Sequence, residues 1–120
     1  MSGDGNLKDR TREFALRVVR LYAALPKVTV AQVLGKQLLR AGTSVGAHYR
    51  EGTRSRSDAE FISKLEGALQ ELEETRYWLE LLTAERLGPR ADVESLTGEA
   101  DELAAMLTAS VRTVKARLKP

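Results

Sequence analysis

The chain has no cysteine and a single histidine, His48, among its 120 residues. Without cysteine there is no disulfide bond, no thiol nucleophile and no cysteine-ligated metal, and one imidazole cannot supply the paired histidines of a His-rich zinc or copper site. No run approaches the roughly 20 apolar residues that a membrane-spanning helix requires, and residues 1–12 lack the apolar core of a secretory signal. We therefore expect a cytoplasmic protein with no cofactor, no metal and no membrane contact.

The formal net charge of +2 hides an asymmetry along the chain. Residues 1–56 carry eleven Lys and Arg against four Asp and Glu, a net +7, whereas residues 57–120 carry eight against thirteen, a net −5. Either the basic and acidic helices pair with each other, within or between subunits, or the basic half forms a surface for nucleic acid or another polyanion.

Proline and glycine are few, and they mark the breaks between helical segments. Pro26, residues 55–57 and Gly88-Pro89 divide the chain into four pieces, each with apolar residues at helical spacing and none alternating like a strand. Short connections make consecutive helices antiparallel neighbours. The sequence predicts one all-α domain over residues 1–120, an up-down-up-down antiparallel four-helix bundle with helices at about 9–25, 30–54, 58–84 and 91–118.

The apolar pattern also predicts which positions are buried. The first two helices carry the stripes Phe14, Val18, Leu21, Leu25 and Leu34, Leu38, Ala41, Val45, Tyr49. A 4-3 spacing, typical of bundle helices, predicts the buried positions Phe61, Leu65, Ala68, Leu72, Thr75, Leu79 and Leu82 in the third helix. In the fourth it predicts Val93, Leu96, Ala100, Leu103, Leu107, Ser110 and Val114. Two capping boxes are expected, Thr29 with Gln32 and Ser57 with Glu60.

Three glycines, Gly35, Gly42 and Gly46, form a strip along the second helix. Each costs about 1 kcal/mol relative to alanine inside a helix, and close approach of a neighbouring helix or of another subunit would offset that cost. A phosphate cradle needs a strand before its glycine loop, and none precedes this helix. We assign the strip to an oligomer interface.

Lys64, Glu71 and Trp78 lie seven residues apart and therefore share one face of the third helix. A tryptophan flanked by opposite charges is typical of the rim of a protein interface, although a partly buried core position is an equal alternative. We add these three residues to the predicted oligomer interface.

A polar stripe, Gln37, Arg40, Ser44, His48 and Glu51, runs along the second helix. Ser44, His48 and Glu51 could form a nucleophile–base–carboxylate chain, but catalytic serines lie on loops or strained turns beside free backbone amides. A serine within a helix has neighbouring amides already bonded, so we predict a structural hydrogen-bond network and no catalytic residues.

The densest basic group is Lys36, Arg50, Arg54 and Arg56. Nucleic-acid phosphates fit these side chains, and so would glutamates of a neighbouring subunit. No aromatic residue interleaves with the arginines in the sequence, so stacking on single-strand bases is not indicated.

Three segments of the chain resemble a known family. The run QLLRAGTSVGAHYREG at residues 37–52, followed by FISKL at 61–65 and ETRYWLELL at 74–82, is similar to the 23S rRNA-intervening-sequence protein family of small bacterial four-helix proteins. The family's motif positions match Arg40, Ser44, Glu51, Lys64, Glu74, Tyr77 and Trp78. His48 stands where the family pattern leads us to expect asparagine.

The resemblance implies a ring-like homopentamer of four-helix bundles and no enzymatic activity. The family is named for reading frames within 23S rRNA genes, and a related branch serves diversity-generating retroelements as an accessory protein that binds reverse transcriptase and nucleic acid. We therefore expect a non-enzymatic oligomer that binds RNA or a nucleoprotein partner through arginines of the second helix. The alternative is a structural or protein-interaction module, for example a partner of a reverse transcriptase, without direct nucleic-acid contact.

Overall fold

Four α-helices make up almost all of residues 3–119, which the computed structural model describes, with side chains from Leu7 onward. They are α1 (Gly3–Ala24), α2 (Thr29–Thr53), α3 (Asp58–Ala84) and α4 (Arg90–Leu118). No strand occurs in this part of the chain, and the predicted all-α four-helix bundle is confirmed. The three breaks lie where proline, serine and glycine predict them.

The helices form an elongated antiparallel bundle of 53 × 24 × 20 Å. Both α1 and α3 pack against α2 and α4, so the two pairs α1/α3 and α2/α4 lie diagonally across the core. The contact between α2 and α3 is the most extensive, and that between α1 and α4 is the narrowest. Over residues 3–119 no helix combines the length and the apolar character needed to cross a membrane.

In α2 the predicted Leu34 is only half-buried. In α3 and α4 the core follows the predicted heptads except at two positions near one end of the bundle. In α3 the buried side chain is Ile62, while Phe61 is only half-buried and packs at the edge of the core. In α4 the buried side chain is Val111, while Ser110 is half-exposed. The predictions for Phe61 and Ser110 were wrong because 3.6 residues per turn drift against a fixed seven-residue repeat.

α1 begins at Gly3, about six residues earlier than predicted. Leu7 is buried and extends the stripe that continues through Phe14. Between them Thr11 is fully buried, with its hydroxyl donating to the Leu7 carbonyl at 2.8 Å. A threonine whose hydroxyl bonds within its own helix can lie in an apolar stripe. Because Thr11 is polar, the apolar pattern in the sequence did not extend to Leu7, and the start of α1 was predicted too late.

Of the two predicted capping boxes, the structure shows the N-cap bond of one. Ser57 is the N-cap of α3, and its side chain accepts from the Glu60 amide at 3.1 Å. At α2 the prediction was wrong: Val28 occupies the N-cap position without a side-chain cap, and Thr29 is already helical. Gln32 instead donates to the Pro26 carbonyl and accepts from the Tyr22 hydroxyl, both at 3.1 Å. Its side chain fastens the α1–α2 turn instead of capping the helix.

The glycine strip of α2 faces α1 of the same chain. A Cβ at Gly35 would lie 2.6 Å from Leu25, and one at Gly42 would lie 2.8 Å from Val18. All three glycines are buried, and Gly46 lies against Thr11 of α1. Of the two partners considered, the neighbouring helix is the one observed. These glycines are therefore not a surface that another subunit could reach, and their place in the oligomer interface is corrected.

Candidate nucleic-acid interface and the polar face of α2 and α3

The polar stripe of α2 meets charged residues of α3 across the outer groove between the two helices. The Arg40 guanidinium donates to Glu71 at 3.4 Å and to Glu74, and it also contacts the Gln37 side-chain oxygen at 3.4 Å. Arg40 is thus held by carboxylates from two successive turns of α3. We call this surface the polar face; it consists of Gln37, Arg40, Ser44, His48 and Glu51 of α2 with Lys64, Glu71, Glu74 and Trp78 of α3.

Ser44 and His48 do not form a nucleophile–base pair in this structure. The Ser44 hydroxyl donates to the Arg40 carbonyl at 2.7 Å, one turn back along its own helix. The His48 imidazole lies between two carboxylates, with Nδ1 3.6 Å from Glu51 and Nε2 3.7 Å from Glu71. Both separations exceed hydrogen-bond length, and the buried Nδ1 has no hydrogen-bond partner among the described residues.

Gly67 of α3 makes room for this imidazole. A Cβ at Gly67 would lie 3.3 Å from His48 Nδ1, closer than most real Cβ contacts. A ring larger than an asparagine side chain therefore fits at residue 48 because α3 has no side chain opposite it.

Lys64, Glu71 and Trp78, predicted as interface residues, all take part in contacts within the chain. The Lys64 ammonium lies 3.3 Å from Glu51, and Glu71 bonds to Arg40. The Trp78 indole N–H donates to Glu74 at 3.2 Å, so one carboxylate joins Trp78 to Arg40. The structure thus unites the predicted polar network and these three residues in a single surface.

Apolar side chains flank the polar face towards the end of the bundle where α2 begins and α3 ends. Val30 and Val33 of α2 are 56% and 55% exposed, and Tyr77 of α3 is 52% exposed with its ring 5.1 Å from that of Trp78. The Arg40–Glu74 bond fixes an antiparallel register that places the two valines opposite the last turns of α3. Exposed valines and an aromatic pair on one side of a small bundle favour contact with another protein surface.

Of the four residues predicted to bind nucleic acid, three cluster in the structure and Lys36 lies apart from them. Arg50, Arg54 and Arg56 lie at the end of α2 and in the following turn, and all three are exposed. Among the described residues none of them forms an ion pair, in contrast to Arg40. Lys36 is also exposed, but it precedes Arg50 by fourteen residues of helix, about 21 Å at 1.5 Å per residue. Lys36 therefore does not belong to this group, which we call the basic end.

A cleft of about 630 Å³ opens beside the basic end, and sequence reasoning did not identify it. We call it the end cleft. The turn between α2 and α3 forms one side, including Arg56 and Ser57, and the last turns of α4 form the other, including Ser110 and Arg117. Phe61 adds an aromatic surface. No sequence pattern indicated it. Two of its lining residues, Phe61 and Ser110, are the positions where the structure departs from the predicted heptads.

A charged cluster on the opposite side of the molecule holds α1 to α4. Arg10 donates from Nε and Nη2 to the two oxygens of Glu99 at 3.0 and 2.7 Å, and from Nη2 to Glu102 at 3.2 Å. The hydrogen bond with Glu99 raises the pKa of the Arg10 guanidinium, which stays charged. These arginine contacts stabilise the narrowest seam of the bundle and leave Arg10 unavailable to a polyanion.

Metal-binding geometry is not found in the described part of the chain. No three histidine, aspartate or glutamate side chains there converge in a way that could hold an ion. The carboxylates nearest His48 bond instead to Arg40 and Lys64.

The structure defines an antiparallel four-helix bundle with a cross-linked polar face and a basic end. Residues 4–109 match the model of the 23S rRNA-intervening sequence protein family, and the chain belongs to that family. It is similar to a crystal structure from Bacteroides thetaiotaomicron described as a protein with unknown function from the S23 ribosomal protein family. That structure is 40% identical with a TM-score of 0.84, covering 92% of this chain and 99% of the other. No curated protein matches the sequence.

Proposed function

We propose that this protein is a non-enzymatic, self-associating helical scaffold that binds RNA through its basic end. The observation that supports this most directly is that three exposed arginines without carboxylate partners cluster at one end of the bundle. Arg10, Arg40 and Arg76 are each bonded to carboxylates of a neighbouring helix. Arg50, Arg54 and Arg56 are exposed and have no such partner among the described residues, so their guanidinium groups are available to phosphates.

Charge pairing between basic and acidic helices does occur within the chain, but it does not involve the three arginines of the basic end. Arg40 with Glu71 and Lys64 with Glu51 show that α2 and α3 neutralise each other along the polar face. This pairing does not neutralise the arginines at the end of α2. A polyanion neutralises them without rearrangement of the bundle.

A charge-reversal experiment tests the RNA proposal. The variant Arg50→Glu/Arg54→Glu/Arg56→Glu is compared with Arg20→Glu/Lys27→Glu/Arg86→Glu, which makes the same change in net charge at the opposite end of the bundle. Binding is measured by fluorescence anisotropy with a labelled single-stranded RNA across a salt series. We expect the first variant to lose binding at moderate salt and the second to retain most of it, because local phosphate contacts set the affinity.

Equal loss in both variants would mean that net charge alone drives binding, and it would contradict a defined RNA surface. Circular dichroism of both variants confirms that the helices are intact.

The second candidate function is that of a protein-interaction module without nucleic-acid contact. The exposed Val30, Val33 and Tyr77 beside Trp78 favour it, because they offer apolar area that RNA would not need. Under this alternative wild-type protein does not bind the RNA, and the basic-end variant instead fails to assemble or to hold its protein partner.

A further inference from the structure

We infer that the end cleft is a binding site for one nucleotide unit of single-stranded RNA, with the phosphate between Arg56 and Arg117 and the base against Phe61. This inference rests on the proposed RNA binding and extends it from the α2 arginines to residues of α3 and α4. No position in α4 was a candidate on sequence grounds, because Arg117 lies 61 residues beyond Arg56 in the chain. The fold alone brings the two arginines to one cleft.

The cleft is an open corner where the turn between α2 and α3 meets the last turns of α4. The ion pair between Arg117 of α4 and Asp58 of α3, 3.9 Å long, joins its two sides. The open corner measures about 630 Å³, within the range of about 300–1,000 Å³ typical of small-ligand sites.

The polar lining is rich in donors, which fits a phosphate. Arg56 makes no ion pair among the described residues, and Arg117 makes a single long one, 3.9 Å from Asp58. Ser57 uses its oxygen to accept from the Glu60 amide, which leaves its hydroxyl hydrogen free. The hydroxyl of Ser110, half-exposed at the wall, has no hydrogen bond to any described residue. Phosphate oxygens are acceptors only, so guanidinium and hydroxyl donors match them.

The apolar lining supplies what a base requires. Phe61 is half-buried, packing partly against the core and partly lining the cleft. Val114 is buried beside it. An aromatic surface adjacent to a phosphate site is the arrangement with which proteins hold single-stranded nucleic acid, and each stacked base contributes substantially. A duplex keeps its bases stacked on each other, so the cleft selects single strands.

Substitution of Asp58 distinguishes a phosphate site from a general loss of stability. The Asp58 carboxylate lines the cleft, and it repels a bound phosphate. Asp58→Asn should therefore tighten RNA binding several-fold, whereas Arg117→Gln should weaken it about tenfold, because a charge-assisted bond is lost. Opposite effects from two residues 3.9 Å apart would not arise from general destabilisation.

The test uses the full chain and a labelled dodecamer of oligouridylate, with anisotropy measured against salt. We expect Arg117→Gln and Phe61→Leu each to weaken binding about tenfold, while Arg20→Ala, at the opposite end of the bundle, changes little. Phe61→Leu should leave binding of a matched RNA duplex unchanged. Thermal unfolding checks that each variant is folded, and amide NMR shifts at Ser57 and Ser110 on addition of the dodecamer report contact directly.

Two outcomes separate the inference from the function on which it rests. Wild-type protein that does not bind the dodecamer overturns both. If the wild type binds and the Arg50→Glu/Arg54→Glu/Arg56→Glu variant does not, but Arg117→Gln, Phe61→Leu and Asp58→Asn all behave as wild type, RNA binding stands and the cleft is not its site. The last comparison is a competition experiment with free uridine monophosphate. If a low concentration of this mononucleotide displaces the dodecamer, the cleft is a mononucleotide site and the inference of a single-strand site is wrong.

Discussion

At the scale of single residues, the glycines of α2 show how one absent side chain determines the distance between two helices. A Cβ at Gly42 would lie 2.8 and 2.9 Å from the two Cγ atoms of Val18. Val18 is fully buried, and a β-branched side chain has few rotamers with which to move aside. Gly98 of α4 is the opposite case, because nothing lies within 4 Å of its Cβ position.

We predict that alanine at these two glycines changes the free energy of unfolding in opposite directions. Gly42→Ala should lower the free energy of unfolding by about 1–2 kcal/mol, since overpacking outweighs the gain in helix propensity. Gly98→Ala should raise it by about 0.5–1 kcal/mol, since only the propensity gain remains. Urea unfolding followed by circular dichroism measures both. Stabilisation by both substitutions would show that α1 can move away from α2 at little cost.

His48 is a second example at the scale of single residues, because the sequence identifies the residue and the structure shows how it is accommodated. The resemblance marks residue 48 as a departure from asparagine, but only the structure shows that Gly67 leaves space for the ring. The accommodating residue lies on another helix, and no spacing rule along the chain connects the two.

At the scale of helices, Ser57 and Thr29 are the informative comparison. Both begin a sequence that reads as a capping box, yet only Ser57 has backbone geometry that places its oxygen on the amide three residues later. Thr29 is already inside its helix, which Val28 begins without a side-chain cap.

We therefore predict that Ser57→Ala lowers the free energy of unfolding by about 1 kcal/mol. Thr29→Ala should change it by less than about 0.5 kcal/mol, because no cap bond is lost and alanine is the better helix former. Urea unfolding of the two variants under identical conditions is the measurement. A comparable loss in Thr29→Ala would contradict the observed helix start.

Helix number, order and most core positions were predictable because each depends on local periodicity. Leu65, Leu72 and Leu79 follow one repeat, and all three are buried as predicted. The errors at Phe61 and Ser110 arose near the bundle end, where 3.6 residues per turn have drifted against the fixed seven-residue repeat. The partner of the glycine strip was not predictable, because a stripe of small residues indicates close approach but not which helix approaches.

The candidate site was predictable only in part. Arg50, Arg54 and Arg56 are close in sequence, so their clustering needed no fold. The end cleft joins residues separated by half the chain, because the turn between α2 and α3 lies beside the last turns of α4. Contacts between residues far apart in the sequence, such as Arg117 with Asp58, cannot be deduced from one sequence.

At the scale of the whole molecule, the arrangement divides the surface into regions of different chemistry. The polar face and its apolar end lie along α2 and α3, whereas the basic end and the end cleft lie where α2, α3 and α4 meet. A scaffold that joins copies side by side through the first region keeps the second region open to RNA. The homopentamer implied by the family resemblance would then present several basic ends together.

We predict that assembly depends on Val33. Val33→Glu places a carboxylate on the exposed apolar end of the α2–α3 face and should reduce the oligomer to smaller species, because a buried unpaired charge is costly at an interface. Val19→Glu, on the exposed side of α1, is the matched control and should assemble as wild type does. Size-exclusion chromatography with light scattering measures the mass. A monomeric wild type, or dissociation by Val19→Glu alone, would contradict this interface.

The central claim, that this bundle binds RNA through its basic end, is tested most directly by native mass spectrometry of the wild-type protein with the oligouridylate dodecamer. We predict an assembly whose mass includes whole dodecamers, removable by ribonuclease. The Arg50→Glu/Arg54→Glu/Arg56→Glu variant should show the same assembly without them. Wild-type assemblies free of RNA at every dodecamer concentration would contradict the claim and leave protein interaction as the function.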